Sequence, residues 1–251
     1  SNNYSGGNAK LFKTTDAGQN WILIDSTGGT FGFFDDIVFS KSNPQFGLAL
    51  SDPPNGGGNP FYLSKTTNGG IDWISTNPPG LTGSFGLLNA AFAIDEQFYG
   101  FQLININTNT ADSYITSDGG SNWFAGGETV PLSNYGFGED IVFNDDKLTG
   151  IMISIDYLPY IKRTTDGGVN WEIVNTLSDI SGGCNASWVS GTNTVFICAE
   201  NSTSNTNILR SDDGGLTWIA QNTSPVQSIK EMDNVRYDNV AVLFSVSSSG
   251  E

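Results

Sequence analysis

Thr14-Thr15-Asp16-Ala17-Gly18-Gln19-Asn20-Trp21 is the first of five near-copies of one octapeptide. The others run from Thr66 to Trp73, from Thr116 to Trp123, from Thr164 to Trp171, and through Ser211-Asp212-Asp213-Gly214-Gly215-Leu216-Thr217-Trp218. Successive tryptophans lie 52, 50, 48 and 47 residues apart. A period of that size marks stacked or ring-arranged units, none of which buries its apolar face alone. The intervening sequence also repeats: apolar strand, polar turn, second apolar strand, variable loop, a third strand entering the octapeptide and a fourth leaving it. In the second repeat these are residues 37–40, the turn 41–45, 46–51, the loop 52–60, 61–65 and 73–75. Four short antiparallel strands per repeat are what a propeller blade needs.

The ends of the chain decide between a ring and an open stack. The first residues supply only third and fourth strands (9–13 and 21–24), and the last only first and second strands (234–237 and 240–245). Joined, they complete a blade and hide the sheet edges that a stack would leave exposed. The sequence therefore predicts an all-β, five-bladed β-propeller of four-stranded antiparallel blades, one domain over residues 1–251. Its blades span 36–76, 89–126, 140–176 and 185–222, with the fifth closed by 1–25 pairing with 230–251. A fragment of a larger propeller is the alternative.

Composition agrees and narrows the function. The 31 glycines, with abundant Asn, Ser, Thr and aromatics, suit short strands and tight turns and leave little expectation of helix. A net charge of -16 repels phosphate backbones and anionic lipid, so nucleic acid and membrane insertion are not expected. No apolar run approaches the roughly 18 residues that cross a bilayer, and no basic-then-apolar leader opens the sequence, as in a mature or trimmed chain. With no histidine, a Ser-His-Asp triad, a Cys-His pair and His-ligated zinc or haem are excluded. Cys184 and Cys198 flank a turn near residue 191 and are expected to face one another. They form either a disulfide, implying an oxidising compartment, or two buried thiols.

The motif [Ser/Thr]-x-Asp-x-Gly-x-[Thr/Asn]-Trp resembles the Asp box, or BNR repeat. That box occurs in the propellers of sialidases, xyloglucanase-type glycoside hydrolases, sortilin-like receptors and photosystem II assembly factors. The resemblance implies the fold and a structural role for the box. Asp16, Asn68, Asp118, Asp166 and Asp213 would accept turn amides, while Trp21, Trp73, Trp123, Trp171 and Trp218 pack between units. It does not imply one activity, since these families share the box and little else.

A second repeat lies at the start of each first strand. Asp36, Asn89, Asp140, Asn185 and Asn234 are each followed three residues later by an aromatic. In a closed ring these five side chains would surround the mouth of the central channel, where two carboxylates and three amides suit waters or calcium. The favoured reading is that each caps local amides. No cofactor is expected unless that ring binds calcium.

The variable loops carry the candidate ligand residues Tyr135, Tyr157, Tyr160, Asp52 and Asp156. No catalytic residue is assigned. The three arginines required by sialidase chemistry are not free to converge, because Arg163 and Arg210 fill the slot that Lys13 and Lys65 occupy in other repeats. The sequence thus favours a secreted or cell-surface binding or adhesion module, part of a larger protein, recognising a glycan or protein through its top loops. A glycoside hydrolase is the alternative, with carboxylates about 5 to 9.5 Å apart drawn from Asp36, Asp140, Asp52 and Asp156. A scaffold or assembly factor is the third reading.

Overall fold

A computed structural model describes residues 8–28, 32–55, 59–81, 84–105, 110–131, 137–155, 160–176, 180–201, 206–221, 229–235 and 240–245. All regular elements among them are β-strands, and no helix is long and apolar enough to cross a membrane. β1 (Lys10–Lys13) and β2 (Ile22–Ser26) form a two-stranded sheet. Four meanders of four strands follow. They are β3 (Phe34–Phe39), β4 (Gly47–Ser51), β5 (Tyr62–Thr66) and β6 (Ile74–Ser75); then β7 (Ser84–Ala93), β8 (Tyr99–Asn105), β9 (Thr110–Thr116) and β10 (Phe124–Pro131). The third contains β11 (Phe137–Phe143), β12 (Gly150–Ile155), β13 (Tyr160–Thr164) and β14 (Glu172–Thr176). The fourth contains β15 (Ile180–Trp188), β16 (Val195–Asn201), β17 (Thr206–Ser211) and β18 (Ile219–Gln221). β19 (Ile229–Val235) and β20 (Val240–Ser245) form a second two-stranded sheet. The all-β, antiparallel, blade-like reading holds, whereas the expected fifth blade is present as two separate hairpins.

The chain divides into two compact units, residues 1–125 with 129–131, and residues 126–128 with 132–251. In the first, the second strand of a meander is buried on both faces: every residue of β4 is buried. One face packs Leu50, Phe61 and Leu63 against Ala91, Phe101 and Leu103 of the next sheet, with Trp123 at the edge. In the second unit Ile151, Ile153 and Ile161 pack against Ala186, Trp188, Val195 and Ile197, with Trp218 alongside. Each large apolar side chain among these contributes about 1.5 to 3 kcal/mol on leaving water. Because no sheet can bury these faces alone, the inter-sheet core is the main source of stability.

The octapeptide is a self-contained turn. Thr14 Oγ1 donates to Asp16 Oδ1 at 2.8 Å and accepts the Gly18 N–H at 2.9 Å, while Asp16 takes the N–H and side-chain amide of Asn20. The same bonds recur around Asp118, Asp166 and Asp213, where Thr217 replaces the asparagine. In the second copy the polarity is reversed: the Asn68 amide donates to the Asp72 carboxylate at 2.8 Å. Two consecutive left-handed residues close each turn, with φ of 72° and 90° at Gly119 and Gly120; Ala17 adopts 58° where the other copies have glycine.

Adjacent sheets are tied at three levels. At the outer level a cation just before one octapeptide donates to a glycine carbonyl in the next: Lys13 to Gly69, Lys65 to Gly119 at 2.7 Å, and Arg163 to Gly214 at 2.7 Å. At the turns, Ser40 Oγ and Ser42 Oγ share the Ile94 carbonyl, and Asp145 takes both the Ser190 hydroxyl and the Gly191 N–H. At the inner level the bonds come from Asp36 and Asp140.

Candidate functional site

Asp36 Oδ2 accepts the Ala91 N–H of the neighbouring first strand at 2.8 Å, and Asp140 Oδ2 accepts the Ala186 N–H at 2.6 Å. These acids are inter-sheet straps. For these two, the local-capping reading needs amendment, because each amide belongs to the neighbouring sheet. Counting from the first residue of each octapeptide, Ile37, Ala91 and Ala186 are equivalent across the ladders. Ala90, not Asn89, consequently stands at the Asp36 position of its repeat. The slip arises because the aromatic of β7, Phe92, stands one residue before the register place of Phe39, Phe143 and Trp188, which Ala93 fills in an unbroken ladder. Asn185 is half-buried at the expected place, and the side chain of Asn234 lies outside the described residues. Among the described residues no three acids or cysteines converge as metal ligands.

A different set of acids gathers where β3 begins. A bulge between Phe34 and Asp36 leaves Asp35 unpaired in the ladder, and bulges of this kind redirect side chains. Opposite it β4 ends, and the Asp52 N–H donates to the Phe33 carbonyl at 2.9 Å. The Asp52 amide also favours the Asp35 carboxylate, yet the buried Oδ2 of Asp35 has no partner among the described residues. Burial above all, then the Asp52 carboxylate, and less strongly Asp36, push its pKa up to about 8, against the downward pull of the Asp52 amide. Asp35 is therefore mainly neutral at pH 7.

Aromatics stand beside these acids. Phe34 and Tyr62 meet edge to face, with ring centroids 5.7 Å apart. Tyr62 donates its hydroxyl to Asp25 Oδ2 on β2, and burial followed by that bond raises its pKa above the ordinary value. The hydroxyl stays protonated and acts as a tie, not as a nucleophile. Phe34 and Tyr62 thus link β3 and β5 to Asp25 of β2, while Asp35 and Asp52 interact where β3 begins and β4 ends.

Of the expected ligand residues, Asp52 belongs to this group. Tyr160 is half-buried with the buried Lys162 ammonium 5.3 Å from its ring centroid. Tyr135, Tyr157 and Asp156 lie outside the described residues. Cys198 is buried and stands opposite Asn185, which places the Cys184 backbone at the adjoining bulge instead of directly across from Cys198; the Cys184 side chain lies outside the described residues. Sequence reasoning did not single out Asp25, Asp35 or Tyr62. The signal that could have found them was the doublet Asp35-Asp36, echoed by Glu139-Asp140 and Asp233-Asn234 at the same place in other repeats.

No protein-family profile and no curated protein sequence matches the chain. Several solved structures do match it. The GH74 enzyme of Niastella koreensis is 17% identical over 91% of this chain and 38% of its own, with a TM-score of 0.58. An ancestral GH74 enzyme is 12% identical over 96% of this chain and 34% of its own, at 0.61. The lectin SapL1, solved with alpha methyl fucoside, is 14% identical over 71% of this chain and 59% of its own, at 0.52. These are β-propellers of the BNR/sialidase-like superfamily, and at such identities the likeness concerns the fold. The chain spans little more than a third of the GH74 enzymes it matches.

Proposed function

We propose that this chain is a glycan-binding propeller module, secreted or displayed at a cell surface, whose ligand lies on the loops joining β2 to β3 and β4 to β5. The observations that carry this are the Phe34–Tyr62 ring pair and the Asp35 and Asp52 carboxyls, placed by adjoining strands at one end of the first four-stranded sheet. Sugar rings present an apolar face and a rim of hydroxyls, and aromatic rings beside carboxyl groups answer both. A lectin among the structural neighbours supports the same reading. A glycan array with the intact protein, repeated with Asp52→Asn and Phe34→Ala, tests it. Specific glycan signals should fall at least tenfold in both variants while the melting temperature stays within a few degrees. Capture of a protein ligand with no glycan signal would overturn it.

A hydrolytic reading is favoured by the buried Asp35 carboxyl beside the Asp52 carboxylate, since burial and that neighbour raise its proton affinity as a general acid requires. Release of reducing sugar from polysaccharides, lost in Asp35→Asn, would establish that reading in place of simple binding.

We further propose that the two terminal hairpins complete one blade and close a five-bladed ring. Trp21 supports this: it is 61% exposed, whereas the other four octapeptide tryptophans are half-buried. A protein lacking residues 229–251 that melts as cooperatively as the intact chain would refute closure.

A further inference from the structure

We propose that the Asp35 carboxyl is a proton-operated catch on the loop leaving β4, closed while the carboxyl keeps its proton and released when it is lost. This goes beyond ligand binding and stands without it, being a property of the unliganded chain.

The geometry makes ionisation awkward. Asp35 sits in the bulge that opens β3, and its Oδ2 is buried without a donor among the described residues. A neutral carboxyl tolerates that position; a carboxylate there is a buried anion lacking a hydrogen bond on one oxygen. The surroundings do not compensate. On its own strand Asp36 is an acid already committed to the Ala91 N–H. From the end of β4 comes Asp52, a second acid. Tyr62 of β5 packs on Phe34, the residue before Asp35, and its hydroxyl is committed to the Asp25 carboxylate of β2. The charges acting on Asp35 are thus both negative, and only the Asp52 amide favours the ionised form.

An ionised Asp35 relieves its position by turning toward water, which separates it from Asp52. The bond between the Asp52 N–H and the Phe33 carbonyl carries the β3–β4 pairing past the last ladder pair and into the loop, so the junction loosens with it. The direction follows from the raised proton affinity: closed in acid and at neutrality, open in mild alkali, with a midpoint about 8. The ionised fraction then rises about tenfold from about pH 7 to about pH 9. Asp52, proposed to contact the ligand, sits on the released segment, so the catch also makes the ligand face pH-dependent.

Amide hydrogen exchange of the intact protein between about pH 6.5 and 9.5, corrected for intrinsic rates, tests the catch. Peptides covering residues 33–36 and 50–55 should exchange about tenfold faster at pH 9 than at pH 7, following the ionised fraction, and Asp35→Asn should abolish that rise while keeping protection. A flat wild-type profile, or the same profile in both proteins, overturns the proposal. Should Asp35→Asn fail to fold, Asp52→Asn supplies the second test. It removes one of the two acids that repel an ionised Asp35, so ionisation becomes easier and the midpoint of the exchange profile must move to lower pH. A midpoint that stays in place or rises overturns the proposal equally.

Discussion

Replacing Asp140 with alanine separates a strap from an ion site. Asp140 is 4% exposed, and the Ala186 N–H it accepts belongs to a residue 6% exposed. A hydrogen bond to a charged acceptor is worth about 1.5 to 3 kcal/mol, and stranding a buried N–H costs about 1 to 3 kcal/mol. Removing a desolvated carboxylate returns part of that, so Asp140→Ala should destabilise by about 2 to 3 kcal/mol. For a chain of this size that is a fall of about 4 to 12 °C in melting temperature. Asp140→Asn keeps an acceptor and should cost about 1 kcal/mol. Asp145→Ala, which loses two bonds at an exposed turn, should cost about 1 kcal/mol and serves as a control. Thermal and urea unfolding with and without calcium reads all three. A loss below about 0.5 kcal/mol for Asp140→Ala would refute the strap. So would a calcium-dependent wild-type stability that Asp140→Asn abolishes, since that assigns the carboxylate to an ion.

The reversed pair in the second octapeptide makes a compensation test: Asn68→Asp should set two carboxylates against each other and cost about 0.5 to 1 kcal/mol, less at high salt, and adding Asp72→Asn should restore it, as urea unfolding will show. Trp123→Ala should cost about 3 to 5 kcal/mol through lost packing on Tyr99 and Phe101, measured in the same way. For Asp35 the folded pKa lies above the unfolded 3.8, so the folded state holds the extra proton. Its stabilising share is complete below pH 3.8 and declines until the pH passes about 8, with a slope of at most about 1.4 kcal/mol per pH unit. Asp35→Asn should flatten that decline, and a wild-type-minus-variant difference that does not change with pH would refute it.

The strands and the turn were legible because both are local. Alternation and the octapeptide fix which residues pair within one hairpin, and an Asp four residues before an Asn identifies a turn whose bonds close on themselves. The straps were not legible for the complementary reason. The partner of Asp36 is 55 residues away, and an amide hydrogen has no sequence signature. The cation slot before the octapeptide was visible, but its acceptor is a carbonyl that every residue owns. Arg210 shows the limit of reading by position: it fills the slot of Arg163 yet pairs with Asp212, two residues along its own chain, at 2.8 Å.

Register carries the same lesson into the site. An aromatic standing one residue early in β7 exchanges Asn89 for Ala90 at the strap position, and one bulge in β3 leaves Asp35 outside the ladder. Both follow from pairing with a second strand, so alignment of single strands cannot reveal them. Asp36 and Asp140 hold neighbouring strands through hydrogen-bonded carboxyl groups, whereas Asp35, one residue before Asp36, is lifted out of the ladder and left with an oxygen that has no partner among the described residues. The extra residue of the bulge is what separates the two consecutive acids. The prediction is that closing the bulge, by deleting Asp35 while keeping Asp36, preserves the Ala91 strap and the fold but removes both the pH-dependent exchange and the glycan signal; survival of either would detach that property from the bulge.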